Sequence, residues 1–139
     1  MGKTWDQPDE RRIKMPKTSK ASLENIWQIT AGGDPNSLYV GVAPAALFES
    51  HDGGEKWALN KGVWSHPHRK KWTPGFGGLC LHTIVTDKKN PNDIKIAIST
   101  GGVYQSADGG DSWKVTNTGV KAYFLPDPFP EFGQCVHKI

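Results

Sequence analysis

Two short stretches, SHDGGEKW at residues 50–57 and SADGGDSW at residues 106–113, decide the fold of this 139-residue chain. The similarity extends upstream, because residues 34–57 align with residues 90–113 without a gap at an offset of 56. Seven of the 24 aligned positions are identical. Five lie in the two quoted stretches, which we call boxes, and two form an upstream Pro-Asn pair. Self-similarity at a fixed period of this length is typical of repeat proteins.

Further traces of the repeat lie near both ends of the chain. The segment GKTW at residues 2–5 matches the last half of the box, and GQCVHKI at 133–139 copies GLCLHTI at 78–84 with Cys, His and Ile in register. These traces predict the last strand of a preceding unit at the start and the first strand of a following unit at the end. On this interpretation both termini of the full protein, including its true N-terminus, lie outside the chain.

Each repeat contains runs in which apolar residues occupy every second position, which is typical of β-strands. The alternating residues are Leu38, Val40 and Val42 in the first repeat and Ile94, Ile96 and Ile98 in the second. The pattern predicts four short antiparallel strands in each unit, and one such unit describes a blade of a β-propeller. The predicted fold is therefore all-β: a fragment of a β-propeller with about two four-stranded blades plus flanking strands.

The repeat also predicts where the blades begin and end. Residues 1–24 hold the end of a preceding blade and a connector, 25–61 a blade with its box at 50–57, 62–78 a long link, 79–118 a second blade with its box at 106–113, 119–133 a second long link, and 134–139 the first strand of the next blade.

The composition excludes several classes of protein. Sixteen Gly, ten Pro and six Trp suit short strands joined by tight turns and argue against an all-helical fold. No stretch of about 18 apolar residues predicts a membrane span, and a formal net charge of +3 is too small to indicate nucleic-acid binding. The N-terminal residues lack the apolar core of a signal peptide, and two cysteines cannot form a disulfide scaffold, so the cytoplasm is the default compartment.

Each letter of the SxDxGxxW box has a structural reason. The Ser hydroxyl and Asp carboxylate bind backbone groups of their own turn, the Gly residues allow positive φ, and the Trp covers the hairpin. The alternative interpretation of the box is a carbohydrate or calcium site. The residues predicted to have this structural role are Ser50, Asp52, Gly54, Trp57, Ser106, Asp108, Gly110 and Trp113.

On these residues the sequence resembles the Asp-box, or BNR, repeat of sialidase-like β-propellers. The segments GGLCLHTI, PAALFESHDGGEKW, WSHPHRKKW and GQCVHKI are similar to bacterial WD40/YVTN/BNR-like repeat proteins that are labelled glycosyl hydrolase or exo-alpha-sialidase. The resemblance implies a propeller of about six to eight blades, with its ligand face opposite the boxes. It implies a glycoside hydrolase or a carbohydrate-binding protein. The alternative is a non-catalytic assembly or interaction scaffold, similar to the photosystem II stability factors.

The two long links are expected to form the rim of the ligand face. They are longer than ordinary connections and contain aromatic, basic, acidic and His residues. The alternative is that they only cover apolar blade edges. The candidate residues on this face are His66, His68, Arg69, Trp72, Cys80, His82, Asp127, Glu131, Cys135 and His137.

Two Cys-x-His pairs directly follow the long links and suggest a metal site. The residues of a pair, i and i+2 on one strand, point to the same side. Together with His66 and His68 of the first link, the two pairs would bring six ligands together on the ligand face. Such a set suits a divalent metal such as zinc or iron. The alternative is that buried thiols pack and the imidazoles bind backbone carbonyls. A disulfide between Cys80 and Cys135 is geometrically allowed but is not implied by reducing surroundings.

The sequence assigns no catalytic residue. A glycosidase needs two carboxyl groups about 5 to 9.5 Å apart, and the prolines around Asp127 and Glu131 predict an extended stretch that separates them by about 12 Å. The few arginines do not supply a sialidase cluster. The basic run at 69–71, flanked by Trp64 and Trp72, suits a carbohydrate or an anionic small ligand. The other expected partner is the set of missing blades of the same protein.

Overall fold

The computed structural model describes Thr4 and residues 12–139. In this part of the chain, eight strands form two four-stranded antiparallel sheets, which confirms the all-β prediction. The strands are β1 (Asn25–Ala31), β2 (Leu38–Ala43), β3 (Ala46–Ser50), β4 (Ala58–Leu59), β5 (Leu81–Thr86), β6 (Ile94–Ile98), β7 (Gly102–Ser106) and β8 (Lys114–Val115). The helical elements are short: α1 (Lys61–Trp64) and the 3-10 turns Lys17–Ser19 and Pro67–Lys71.

Each sheet is a meander in which neighbours along the chain are neighbours in space. The strand orders are β1-β2-β3-β4 and β5-β6-β7-β8. The register repeats with the sequence: Val40 pairs with Phe48 in the first sheet, and Ile96 pairs with Tyr104 in the second. The sequence repeat is therefore also a structural repeat.

The second sheet packs on the first through β5, which lies against β1 and β2. The side chain of Gln28 bonds the backbone of Ile84 in both directions: Nε2 donates to the carbonyl and Oε1 accepts from the N–H, each over 3.0 Å. Gly41 lets the sheets approach closely, because a Cβ there would lie 2.6 Å from the carbonyl oxygen of Leu81. The main core fills this interface and includes Tyr39, Leu47, Leu81, Ile84, Ile94, Ile96, Ile98 and Tyr104.

A second core lies on the other face of the first sheet. Its buried members are Ile13, Val40, Val42, Ala46 and Phe48, with Met15 and Leu23 packed against them. Residues 12–24, predicted as part of a connector, thus cover this sheet. Arg12 anchors the segment through an ion pair of 3.1 Å with Glu55.

The repeated Pro-Asn pair ties the first hairpin of each unit to the box. The carbonyl of Asn36 accepts a hydrogen bond from the N–H of Gly53 over 2.9 Å, and Asn92 binds Gly109 in the same way over 3.1 Å. Both glycines have positive φ, 72° and 75°. The same turn contact therefore recurs in both repeats at the Pro-Asn pair.

The links and the chain ends differ from expectation in three respects. The first link contains α1 and a 3-10 turn, and the second folds back on itself, with the N–H of Ala122 bonded to the carbonyl of Pro128 over 2.8 Å. The extended conformation predicted there is wrong. No strand is assigned within 134–139, although Thr83 Oγ1 donates to the carbonyl of His137 over 2.6 Å. The strand predicted from GKTW falls, apart from Thr4, outside the described residues.

Among the residues that the structure describes, no helix is long and apolar enough to cross a membrane.

Candidate functional site

The two boxes make the same set of local hydrogen bonds. Ser50 Oγ donates to Asp52 Oδ1 over 2.9 Å and accepts from the N–H of Gly54 over 2.9 Å, while Asp52 Oδ1 accepts from the N–H of Lys56. The indole of Trp57 donates to the carbonyl of Gly54. The equivalent bonds in the second box join Ser106 to Asp108 and Gly110, Asp108 to Ser112, and Trp113 to Gly110.

The hydrogen bonds of the boxes lower the pKa of both Asp residues. Asp52 is affected most by the N–H of Lys56. Asp108 also accepts from the hydroxyl of Ser112, and its pKa falls to about 2. Each carboxylate therefore accepts hydrogen bonds within its own turn. This structural role explains the box residues and requires no ligand.

A cleft of about 1010 Å³ lies between the two long links and the first strands of the repeats. Its size falls in the range of small-molecule sites. Its only charged lining residue in the described part of the chain is Lys71. The lining residues are Trp27, Lys71, Thr73, Pro74, Gly75, Phe76, Gly77, Gly78, His82, Ser99, Thr100, Phe124, Leu125, Phe132, Gly133, Cys135 and His137.

Three rings from equivalent positions of successive repeats form a row along this cleft. The ring centroids of Trp27 and His82 lie 4.4 Å apart, and those of His82 and His137 lie 4.3 Å apart. The pairing registers skip one residue at Trp27 and again at His82, so both rings sit on β-bulges. Bulges commonly re-aim a side chain beside a functional site.

Sequence reasoning missed Trp27, although a signal was available. The offset of 55 that relates His82 to His137 also relates Trp27 to His82. The change from Trp to His conceals the equivalence. Burial, and secondarily the neighbouring His137, lower the pKa of His82, which favours a neutral ring at neutral pH.

The six residues of the predicted metal site do not converge. His82, Cys135 and His137 line the cleft, whereas His66 and His68 belong to a separate cluster with Tyr104. Over Thr4 and residues 12–139, no group of three or more His, Cys, Asp or Glu side chains is arranged to hold a metal ion. Both cysteines are free, Cys80 being buried and Cys135 exposed.

The separate cluster joins the two long links around the hydroxyl of Tyr104. Trp72 Nε1 donates to this oxygen over 2.9 Å, and His68 Nδ1 lies 3.2 Å from it. His68 also stacks on Phe132, with centroids 4.1 Å apart, and its Nε2 lies 3.7 Å from Glu131. Burial raises the pKa of Tyr104 to about 12. These contacts hold His68 away from the cleft because each ring nitrogen faces a partner on the protein.

The His66 ring belongs to the same cluster, with its centroid 4.7 Å from that of His68. Burial, and then the adjacent His68, lower the pKa of His66.

Within the basic run of the first link, Arg69 makes an internal contact, whereas Lys71 lines the cleft. The guanidinium of Arg69 lies 3.5 Å from the centroid of the Trp64 ring, so Arg69 itself occupies the indole face expected to stack on a ligand. Burial lowers the pKa of Arg69. Arg69 is not among the cleft-lining residues, so the expected anion site does not form around it.

The two acidic candidates also lie outside the lining of the cleft. Asp127 Oδ1 accepts from the N–H of Phe129 over 2.9 Å within the second link, and Glu131 faces His68. Of the ten predicted site residues, three line the cleft and seven do not: His66, His68, Arg69, Trp72, Cys80, Asp127 and Glu131.

Several large aromatic side chains of the links are exposed. Phe76 and Phe124 belong to the cleft rim, whereas Tyr123 and Phe129 lie beside it on the second link. Lys121 Nζ lies 4.6 Å from the ring centroid of Tyr123. Where exposed apolar side chains form a contiguous patch, they mark contact surfaces for ligands or proteins.

No protein-family model matches the chain, and no curated protein matches it with significance.

Proposed function

We propose that the chain forms two blades of a BNR-type β-propeller and binds a carbohydrate in the cleft between its long links. The observation that carries the proposal is the row of Trp27, His82 and His137 rings. The C–H-rich face of a sugar ring packs well on an aromatic face, whose quadrupole is negative. Trp27 lines the cleft and is 46% exposed, and it meets His82 edge to face at 61°, so indole surface at the end of the row is free to pack on a sugar ring.

The charge of the cleft favours a neutral or acidic sugar. Lys71 is the charged residue of the described lining, and its Nζ lies 6.0 Å from the ring centroid of Phe132. The lowered pKa of His82 disfavours a positive charge in the middle of the row. Binding rather than hydrolysis is the supported activity, because the described lining offers no pair of carboxylates.

A fluorescence titration of the full chain with neutral and sialylated oligosaccharides tests the proposal. Trp27→Ala should weaken binding by about tenfold, a loss of affinity typical of removing one central aromatic contact. Phe124→Ala and Phe129→Ala form a matched pair, because the two side chains are similarly exposed, at 59% and 57%, but only Phe124 lines the cleft. The first should weaken binding and the second should not. Equal effects of the pair, or no binding of any saccharide, would refute the carbohydrate site.

An interaction scaffold is the second function with an observation in its favour. Tyr123 and Phe129 are exposed aromatic groups on one link and do not line the cleft. As a scaffold, the protein would lose a partner on substitution of both residues by Ala while carbohydrate binding stayed unchanged. Co-purification of the wild-type chain and of the Tyr123→Ala/Phe129→Ala double variant with the partner, compared with saccharide titration of the same two proteins, separates the two functions.

A further inference from the structure

Thr100, in the turn between β6 and β7, departs from ordinary backbone geometry. Its φ is 55°, in the left-handed region, where β-branched residues are seldom found. Among the described residues, Lys20 is the other non-glycine residue with a positive φ, at 54°. The position equivalent to Thr100 in the first repeat holds Pro44, so the repeat itself does not require a Thr there. Residues in this conformation persist where contacts hold them, and they cluster at binding sites.

The side chain of Thr100 holds the turn against the first link. Oγ1 donates a hydrogen bond to the carbonyl of Thr73, 27 residues earlier in the chain, and lies 2.6 Å from the carbonyl of Ser99. The methyl group packs closely on Gly75, because a Cβ there would lie 2.9 Å from Cγ2 of Thr100. One side chain therefore anchors the first link to the second sheet.

The anchored part of the first link is the tip that borders the cleft. The N–H of Gly78 donates to the carbonyl of Gly75 over 3.0 Å, which closes a tight turn around Phe76. Phe76 is fully exposed and lines the cleft, as do Thr73 and Thr100. The position of this ring at the cleft therefore depends on the contact between Thr100 and Thr73.

The turn that contains Thr100 is as enclosed as its equivalent in the first repeat. Residues 99–102 match residues 43–46 in burial at every position. The first-repeat turn lies against the following repeat, with the N–H of Ala45 bonded to the carbonyl of Leu79 over 2.8 Å. Thr100 therefore has the burial of a residue that lies between two repeats.

We propose that Thr100 is a positioning residue of the carbohydrate cleft and holds the tip of the first link so that Phe76 meets the sugar. This inference rests on the proposed function. Without the Thr100 hydroxyl, the tip keeps its own turn bond but loses its anchor to the second sheet. A mobile tip lowers affinity, because binding must then order it.

Thr100→Gly and Lys20→Gly form a matched pair of variants. Each removes a side chain from a left-handed position, but only Thr100 lines the cleft. In the saccharide titration, Thr100→Gly should weaken binding by about tenfold, because the tip is released. Lys20→Gly should leave the affinity within about twofold of wild type. Thr100→Ser keeps the hydroxyl and should bind nearly as well as wild type.

Hydrogen exchange supplies a measurement that needs no sugar. The N–H of Gly78, in the tip, should exchange faster in Thr100→Gly than in wild type or Thr100→Ser, because the tip opens more often. The N–H of Gly110, bonded to Ser106 in the second box, should keep its protection and so reports an intact fold. If Thr100→Gly loses that protection, Thr100→Val, which lacks only the hydroxyl, replaces it with the same expected losses.

The outcomes separate this inference from the proposed function. A wild-type chain that binds no saccharide would overturn the proposed function, and the role of Thr100 with it. Wild-type binding that is equally strong in Thr100→Gly, or equally weakened in Lys20→Gly, would overturn only the role of Thr100. Weaker binding without faster exchange at Gly78 would also overturn it, because Thr100 would then act by direct contact and not by positioning the tip.

Discussion

The indole N–H of Trp113 donates a hydrogen bond to Oδ1 of Asn60 over 3.2 Å, joining the second box to the end of the first sheet. The same oxygen accepts from the N–H of Val63 and so caps α1, and Nδ2 donates to the carbonyl of Gly110 over 2.9 Å. The first long link therefore begins against a box turn rather than on the opposite face. Residues 71 and 73–78, later in the same link, line the cleft.

Asn60→Ala should therefore destabilise the protein by about 1–3 kcal/mol, because it leaves the buried N–H of Val63 without its acceptor and removes the bonds to Trp113 and Gly110. Asn60 is 3% exposed, so water cannot replace these bonds without rearrangement. Chemical denaturation measures the loss. Asn92→Ala is the control, because Asn92 uses its backbone carbonyl to bind Gly109. Equal losses for the two variants would contradict the role of the Asn60 side chain.

Ser106→Ala should cost about 1–3 kcal/mol by leaving the buried N–H of Gly110 without its acceptor. Ser50→Ala should behave alike, because its hydroxyl makes the equivalent bonds. Saccharide titration of both variants should give unchanged affinity, since neither box lines the cleft. Loss of binding without loss of stability would instead identify the boxes as ligand sites.

Acid should weaken the second box through Asp108. The folded pKa of Asp108, about 2, is below the usual 3.8, so its stabilising effect is present above pH 3.8 and is lost as the pH falls toward 2. Denaturation curves of wild type and Asp108→Asn should therefore differ less at pH 2 than at pH 6. A difference that stays constant over this range would show that the charge of Asp108 is unimportant.

Tyr104→Phe should destabilise the link cluster by about 1–3 kcal/mol, because the buried N–H of Trp72 loses its acceptor. Tyr123→Phe, at an 83% exposed position, should change stability by no more than about 0.5 kcal/mol. The pKa of Tyr104 is raised from 10 to about 12, so its stabilising effect is lost as the pH rises through that interval. The difference between wild type and Tyr104→Phe should shrink there, and thermal melts at pH 8 and pH 11 test this.

The sequence by itself determined the strands, the boxes and their repeat. Alternation along β2 and β6 and the Ser–Asp bonds of Ser50 and Asp52 act within a few residues, so they are readable from the chain alone. The two antiparallel meanders follow from these local patterns and from short connections. Segments of both links line the cleft, and their role as the rim of a ligand face stays a prediction.

Only the tertiary structure decided which residues meet at the cleft. The bulge at Trp27 and its contact with His82 depend on the packing of β5 against β1. His68 does not lie with the other predicted metal ligands, because its ring contacts Tyr104 and Phe132, which are distant in sequence. Side-chain direction at a bulge and the path of a long link depend on such distant contacts, and residue spacing along one chain carries no information about them.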